Sequence, residues 1–178
     1  MPRPERESMS YVRVSTVERL LTHDEIEQIE GNARAALQAA ISSVGKQPQA
    51  YVTRDILPVE DFGLSSESFT FTYSATGWQN IVSQTLPEDK FIVIYGVEFT
   101  TPYPLTGALK FYRNVDPLFV VSVPKVLGYD TPVVYFNPIV WSQNQTLTIS
   151  AYANATGTEY MVFKGYVAEL CGKTIACK

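Results

Sequence analysis

The residue types in this chain that could do chemistry are a set of carboxylates, one imidazole and two indoles. The carboxylate candidates are Glu60, Asp61, Glu88, Asp89, Glu98, Asp116, Glu159 and Glu169. Two carboxyl groups facing each other across a cleft are the equipment of a glycoside hydrolase, one as acid and one as nucleophile or base. Glu60-Asp61 and Glu88-Asp89 sit beside Pro58 and Pro87 and read as solvated loop acids. Glu98 and Glu169 fall inside strand-like apolar runs, where a carboxylate either points outward or pairs with a cation such as Arg54 or Arg113. No spacing sets two of them at a hydrolytic separation. His23 is the only histidine and follows Thr22 at a helix start, a place for a solvated side chain. The chain has no Gly-x-Ser-x-Gly elbow to give that imidazole a nucleophile to serve. Gly-rich phosphate loops, Cys-x-x-Cys pairs and basic clusters are missing as well. These residues describe a protein that is not an enzyme and needs no cofactor and no metal; a carboxylate-dependent glycoside hydrolase is the weaker alternative. Trp78, after Thr76-Gly77, and Trp141, after Pro138, sit near loop ends. An exposed indole there is a ligand platform for a sugar ring, and a buried one is core packing.

Composition narrows the classes. The chain has 178 residues, 46% hydrophobic and 18% charged, with a formal net charge of -4. That length suits one domain with a sizeable core. An acidic balance argues against sequence-independent nucleic-acid binding, which needs a basic face. The start, MPRPERESMSYVRV, lacks the apolar core of a signal peptide. The longest apolar runs, 91–97 and 118–123, fall well short of the roughly 20 residues that span a bilayer. A soluble protein made in a cytoplasm, with no membrane partner, is expected. Cys171 and Cys177 read as two reduced thiols, with a small disulfide loop as the alternative that only geometry decides. Asn144-Gln145-Thr146 and Asn154-Ala155-Thr156 match the glycosylation sequon and read as chance matches in a Thr-rich region.

Three zones must position these residues. Residues 1–14 carry Pro2, Pro4 and mixed charge and read as an extended arm. Residues 15–45 are helical. Ser15-Thr16-Val17-Glu18 and Thr22-His23-Asp24-Glu25 both match a capping box. They predict a short turn over 16–21 and a longer helix from His23 to about Val44, stopped by Gly45. Ile26, Ile29, Ala33, Leu37, Ala40, Ile41 and Val44 recur at helical spacing on one face. That stripe is the expected docking surface, for a partner or for the protein's own sandwich. Residues 46–178 change character. Short runs rich in β-branched and aromatic residues alternate with Pro, Gly and Asn. Candidate strands are 50–57, 68–73, 79–84, 90–100, 108–113, 118–123, 133–136, 146–153 and 159–170. With no helix between them, they predict a mainly β protein, an antiparallel sandwich of about eight or nine strands. Thr131 to Thr158 contains no Asp, Glu, Lys or Arg. Such a stretch either packs against neighbouring subunits or lies centrally in the sandwich.

An arm, an Ala-rich helix, a short-stranded sandwich and a long closing strand with Gly165 inside it resemble the layout of single jelly-roll virion proteins. Capsid-decorating or cement proteins and small capsid proteins are the nearest kinds. The resemblance implies a jelly-roll-like fold, a virion location and a structural role in binding and stabilising a capsid lattice. It implies capsid subunits and further copies of the chain as partners, with a homotrimer as the assembly. Jelly rolls also serve as carbohydrate- or receptor-binding modules of spikes and tails, since fold alone does not set function.

Overall fold

The computed structural model describes residues 21–123 and 132–171. Helix α1 (His23–Ser43) starts and stops where its capping residues place it. The Thr22 hydroxyl accepts from the Glu25 amide at 3.2 Å. At the other end Gly45 adopts φ 77°. Its amide donates to the Ser42 carbonyl and the Lys46 amide to that of Ile41, which closes the last turn. The arm and the short helical turn expected before residue 21 lie outside the described residues.

Nine strands follow: β1 (Tyr51–Asp55), β2 (Thr70–Tyr73), β3 (Gly77–Thr85), β4 (Lys90–Phe99), β5 (Thr106–Arg113), β6 (Asp116–Ser122), β7 (Val133–Trp141), β8 (Thr146–Ala153) and β9 (Gly157–Leu170). A short helix, α2 (Pro58–Phe62), sits between β1 and β2. One sheet runs β1-β9-β4-β7, with β2 also on β9, and the other runs β3-β8-β5-β6. β1 pairs with the C-terminal part of β9 (Tyr51 opposite Leu170) and β2 with its start (Tyr73 opposite Gly157). The two short strands thus act as one interrupted strand along one edge of β9.

That arrangement decides the topology. Counting β1 and β2 as one, the chain is a long antiparallel hairpin in which first pairs with last, second with seventh, third with sixth and fourth with fifth. The pairs are β1/β2 with β9, β3 with β8, β4 with β7, and β5 with β6. Rolling the hairpin adds β4 on β9 and β5 on β8, which closes two four-layer-wide sheets into a jelly roll.

Burial follows this wrapping. β4 is uncharged from Phe91 to Val97, where it is covered on both faces. Phe91, Val93 and Tyr95 point to α1, while Ile92 and Ile94 point between the sheets. A bulge between Ile94 and Gly96 shifts the alternation, so Val97 and Phe99 face the inter-sheet core in turn. Glycine is required nearby. A Cβ on Gly165 would stand 2.1 Å from the Val93 carbonyl oxygen. The edges are blunted. β7 carries Pro138, and the Arg113 guanidinium donates to the Val140 carbonyl there at 3.1 Å. β3 carries a bulge between Asn80 and Val82.

Candidate functional site

The helix stripe is occupied by the protein itself. Ala33, Leu37 and Ile41 are buried against Phe91, Val93, Tyr95 and Ala168 of the first sheet, with Ile29 and Ala40 packed beside them. Ile26 is half-buried and Val44 is exposed. The Arg34 guanidinium donates to the Tyr166 hydroxyl at 2.9 Å and lies 4.8 Å from the centre of its ring. Helix α1 therefore forms a third layer over the first sheet.

Glu60 and Asp116 are exposed, and the other candidate carboxylates are engaged in structure. Asp61, expected as a solvated loop acid, is instead 2% exposed. The sequence hides this because Pro58 opens a helical turn, α2, in place of a loop, and that turn aims Asp61 inward. Arg54 grips it at 2.7 and 2.9 Å, the Leu57 amide donates at 2.6 Å and Lys90 Nζ lies at 2.6 Å. Burial pushes the Asp61 carboxyl up, and these donors outweigh it and hold it below its ordinary value. Arg54 also donates from Nε to Glu169 at 3.0 Å, the pairing its strand position allowed. Glu159 is 3% exposed and accepts from the Leu105 and Thr106 amides at 2.7 and 3.1 Å. The Thr106 hydroxyl donates to it as well, and the Tyr73 hydroxyl bonds to Thr106 Oγ1, which ties the two sheets together. Burial pushes the Tyr73 phenol up to about 12. Asp89 takes Lys46 and the Tyr51 hydroxyl, so burial and this bond push Tyr51 up to about 12. Glu98 pairs with Lys164 at 3.4 Å, and Glu88 with Lys46 at 3.3 Å. His23 is exposed and pairs with Glu27 at 3.0 Å.

Trp141 is no ligand platform. It is fully buried, packs against Phe111 and donates from Nε1 to the Tyr112 carbonyl at 2.8 Å. Asn137-Pro138 looks like the end of a strand, but β7 runs on through it, because proline is tolerated in an edge strand at an irregularity. Trp78 is 48% exposed on the outer face of the second sheet. Its strand partner Tyr152 is 40% exposed, and their rings meet edge to face, 5.5 Å apart at 75°. Lys110, one strand further in, places Nζ 5.5 Å from the Trp78 ring centre and 5.7 Å from that of Tyr112. Around them the same face carries Asn80, Ser83, Thr85, Thr146 and Thr148. Thr85 and Thr146 bond across β3 and β8 at 2.8 Å. Helix α1 covers the first sheet, and among the described residues this is the open face of the sandwich. Sequence reasoning missed Lys110 and Tyr152, although their alternation with buried neighbours in β5 and β8 was legible.

Cys171 is disulfide-bonded, in place of the expected reduced thiol. It follows directly on Leu170, where β9 ends, and Cys177 lies outside the described residues.

No family model matches the chain. Over 95 residues it is 32% identical to the sulfate transport system permease protein CysW of Synechococcus elongatus, a match covering 48% of this chain and 32% of the permease. Among the described residues no helix is long and apolar enough to cross a membrane. Two solved structures align over most of the chain. The VP2 subviral particle of infectious bursal disease virus covers 69% of it at 11% identity with a TM-score of 0.36. The Gx strain of the same virus covers 70% at 11% identity with a TM-score of 0.33. The chain spans about a third of the length of the permease and of both viral chains (32%, 33% and 33%). The fold assignment rests on the strand pairing itself.

Proposed function

We propose that this protein is a structural component of a virion, a jelly-roll subunit that binds and stabilises a capsid lattice as a cement, decoration or small capsid protein. It works in the virion as a homotrimer, with no enzymatic role and no cofactor, and its partners are capsid subunits and further copies of itself. The observation that carries this reading is the charge-free band from 132 to 158. It runs along the edge strand β7, through the turn at 142–145, up β8 and into the turn at 154–156. Val133, Asn137, Asn144 and Ala155 are exposed along it. A neighbour covering such a flank strips water from no ion, and depletion of charge marks the centre of protein interfaces. Weak contacts repeated around a lattice then multiply through effective concentration.

The test has two readouts. Light scattering after size exclusion reports the solution mass over a range of concentrations, and mass spectrometry reports whether the chain is in particles purified from its source. A closed oligomer and a stoichiometric presence in particles are expected. Asn137→Lys with Ala155→Lys lowers the mass while leaving the melting curve unchanged. A monomer at every concentration that is also absent from particles overturns the reading.

A further inference from the structure

We propose that the open face of the second sheet binds an acidic saccharide, a sugar carrying a carboxylate, in the corner formed by Trp78, Tyr152, Lys110 and Tyr112. This goes beyond the shell role; the corner shares β8, through Tyr152, with the charge-free band. The strands β3, β8 and β5 carry two charged residues between them, Lys110 and Arg113. Arg113 is spent on the Val140 carbonyl at the edge of the other sheet. Among the described residues Lys110 is left as the one cation of the face, on a chain of net charge -4. Among the described residues no carboxylate pairs with it, and its recorded contacts are the two rings. A lysine lying over aromatic faces keeps its stem dry and its ammonium outward, ready for an anion.

The surroundings choose among anions. Inorganic phosphate would leave the exposed indole unused. A nucleic-acid strand needs a run of cations, and this face has one. A second copy docked about a twofold axis passing through this corner would set Lys110 against Lys110. A pyranose ring fits the remaining features. Its C–H face packs on an exposed indole, and the edge-to-face Trp78–Tyr152 pair offers a corner with two such walls. Its hydroxyls meet the hydroxyl and amide rows of β3 and β8. The Ser150 hydroxyl donates to Asn80 Oδ1, and the amide nitrogen of exposed Asn80 is a further donor on this face. The carboxylate takes Lys110 Nζ, a charge-assisted hydrogen bond.

The full-length protein is titrated with oligosaccharides ending in glucuronic acid and with the same oligosaccharides ending in glucose. Protein-detected NMR and Trp fluorescence report binding. The acidic sugar binds more tightly by a factor on the order of ten, the worth of one charge-assisted hydrogen bond. Lys110→Gln removes that preference, Lys110→Arg keeps it, and Trp78→Ala loses both sugars. The melting temperature of each variant stays at the wild-type value. Equal binding of the two sugars, binding of neither, or an unchanged preference in Lys110→Gln overturns the proposal. Self-association abolished by Lys110→Gln also overturns it and hands the face to a second copy.

Discussion

Replacing Asp61 by Ala tests the buried ion cluster that anchors α2. Among the described residues Arg54 and Lys90 bring two positive charges and Asp61 and Glu169 two negative ones, which balance; without Asp61 these carry a net +1. Four donors lose an acceptor, two Arg54 nitrogens, Lys90 Nζ and the Leu57 amide, although the Asp55 carbonyl keeps Arg54 Nη1, Glu169 keeps Nη2 at 3.4 Å and the Glu60 carbonyl keeps Lys90 Nζ. Glu169 still holds Arg54 through Nε, but it cannot reach all of them. Stranding a buried cation in this way costs about 3–5 kcal/mol. That is a large share of a domain stability of about 5–15 kcal/mol. The assay is equilibrium unfolding in urea, read from the fluorescence of buried Trp141 in a Trp78→Phe background. With an m-value of about 2 kcal/mol per molar, the midpoint falls by about 1.5–2.5 M. Adding Arg54→Met to Asp61→Ala removes the stranded guanidinium, so the double variant is no less stable than Asp61→Ala. A midpoint shift below about 0.5 M, or costs that simply add in the double variant, refutes the idea that the cluster acts as a unit.

The same cluster sets an acid limit. The Asp61 carboxyl is held below its ordinary value in the fold, so its contribution is complete above the unfolded value near 3.8 and is lost as pH falls through the folded one. Asp61→Asn should flatten that part of the stability-against-pH curve. At the alkaline end the signs reverse. Tyr51 and Tyr73 are pushed up to about 12, so they stabilise the fold below the ordinary value of 10 by staying neutral, and this is lost as pH rises through about 12. Spectrophotometric titration should show them ionising only there. Leu37→Ala, at the helix–sheet contact, costs about 2–5 kcal/mol in urea unfolding, while exposed Val44→Ala stays within about 0.5 kcal/mol. Gly165→Ala forces a methyl to within 2.1 Å of the Val93 carbonyl oxygen and 2.7 Å of Ile56 Cδ1, and thermal melting should show a loss of about 1–3 kcal/mol or more.

Helix α1 was legible because its signals are local: a hydroxyl at the start, a glycine just past the end and a stripe at helical spacing. β8 was legible to the residue, since Thr146–Ala153 alternates without interruption. The errors fall where long-range packing overrides local chemistry. Asn137-Pro138 is turn chemistry by composition, yet the edge of a sheet tolerates it and carries β7 on to Trp141, which reverses the exposure of that indole. Asp61 follows a proline and looks solvated, yet Arg54 on the neighbouring strand and Lys90 on another make its burial sustainable. The open-face site has a similar history. Trp78 was visible as a lone indole, but its companions come from β5 and β8, more than thirty and seventy residues away in sequence, and strand order cannot be read from a single chain. Whether the stripe on α1 docks at home or elsewhere is also a question of distant contacts. Phe91, Val93 and Ala168 supply the answer.

The last of the described strands is the one the first sheet depends on. β9 lies between β4 on one side and β1 with β2 on the other, so Tyr51 meets Leu170 only after nearly the whole chain has been synthesised. Until then the apolar run of β4 has, among the described strands, only β7 to pair with, and α1, translated before them, has an incomplete floor to rest on. Contacts this distant in sequence make for slow folding and leave strand edges exposed on the ribosome. A chain interrupted before about residue 157 thus lacks the strand that joins β1 and β2 to the first sheet, and premature termination or C-terminal trimming into β9 should yield insoluble protein rather than a shorter working one.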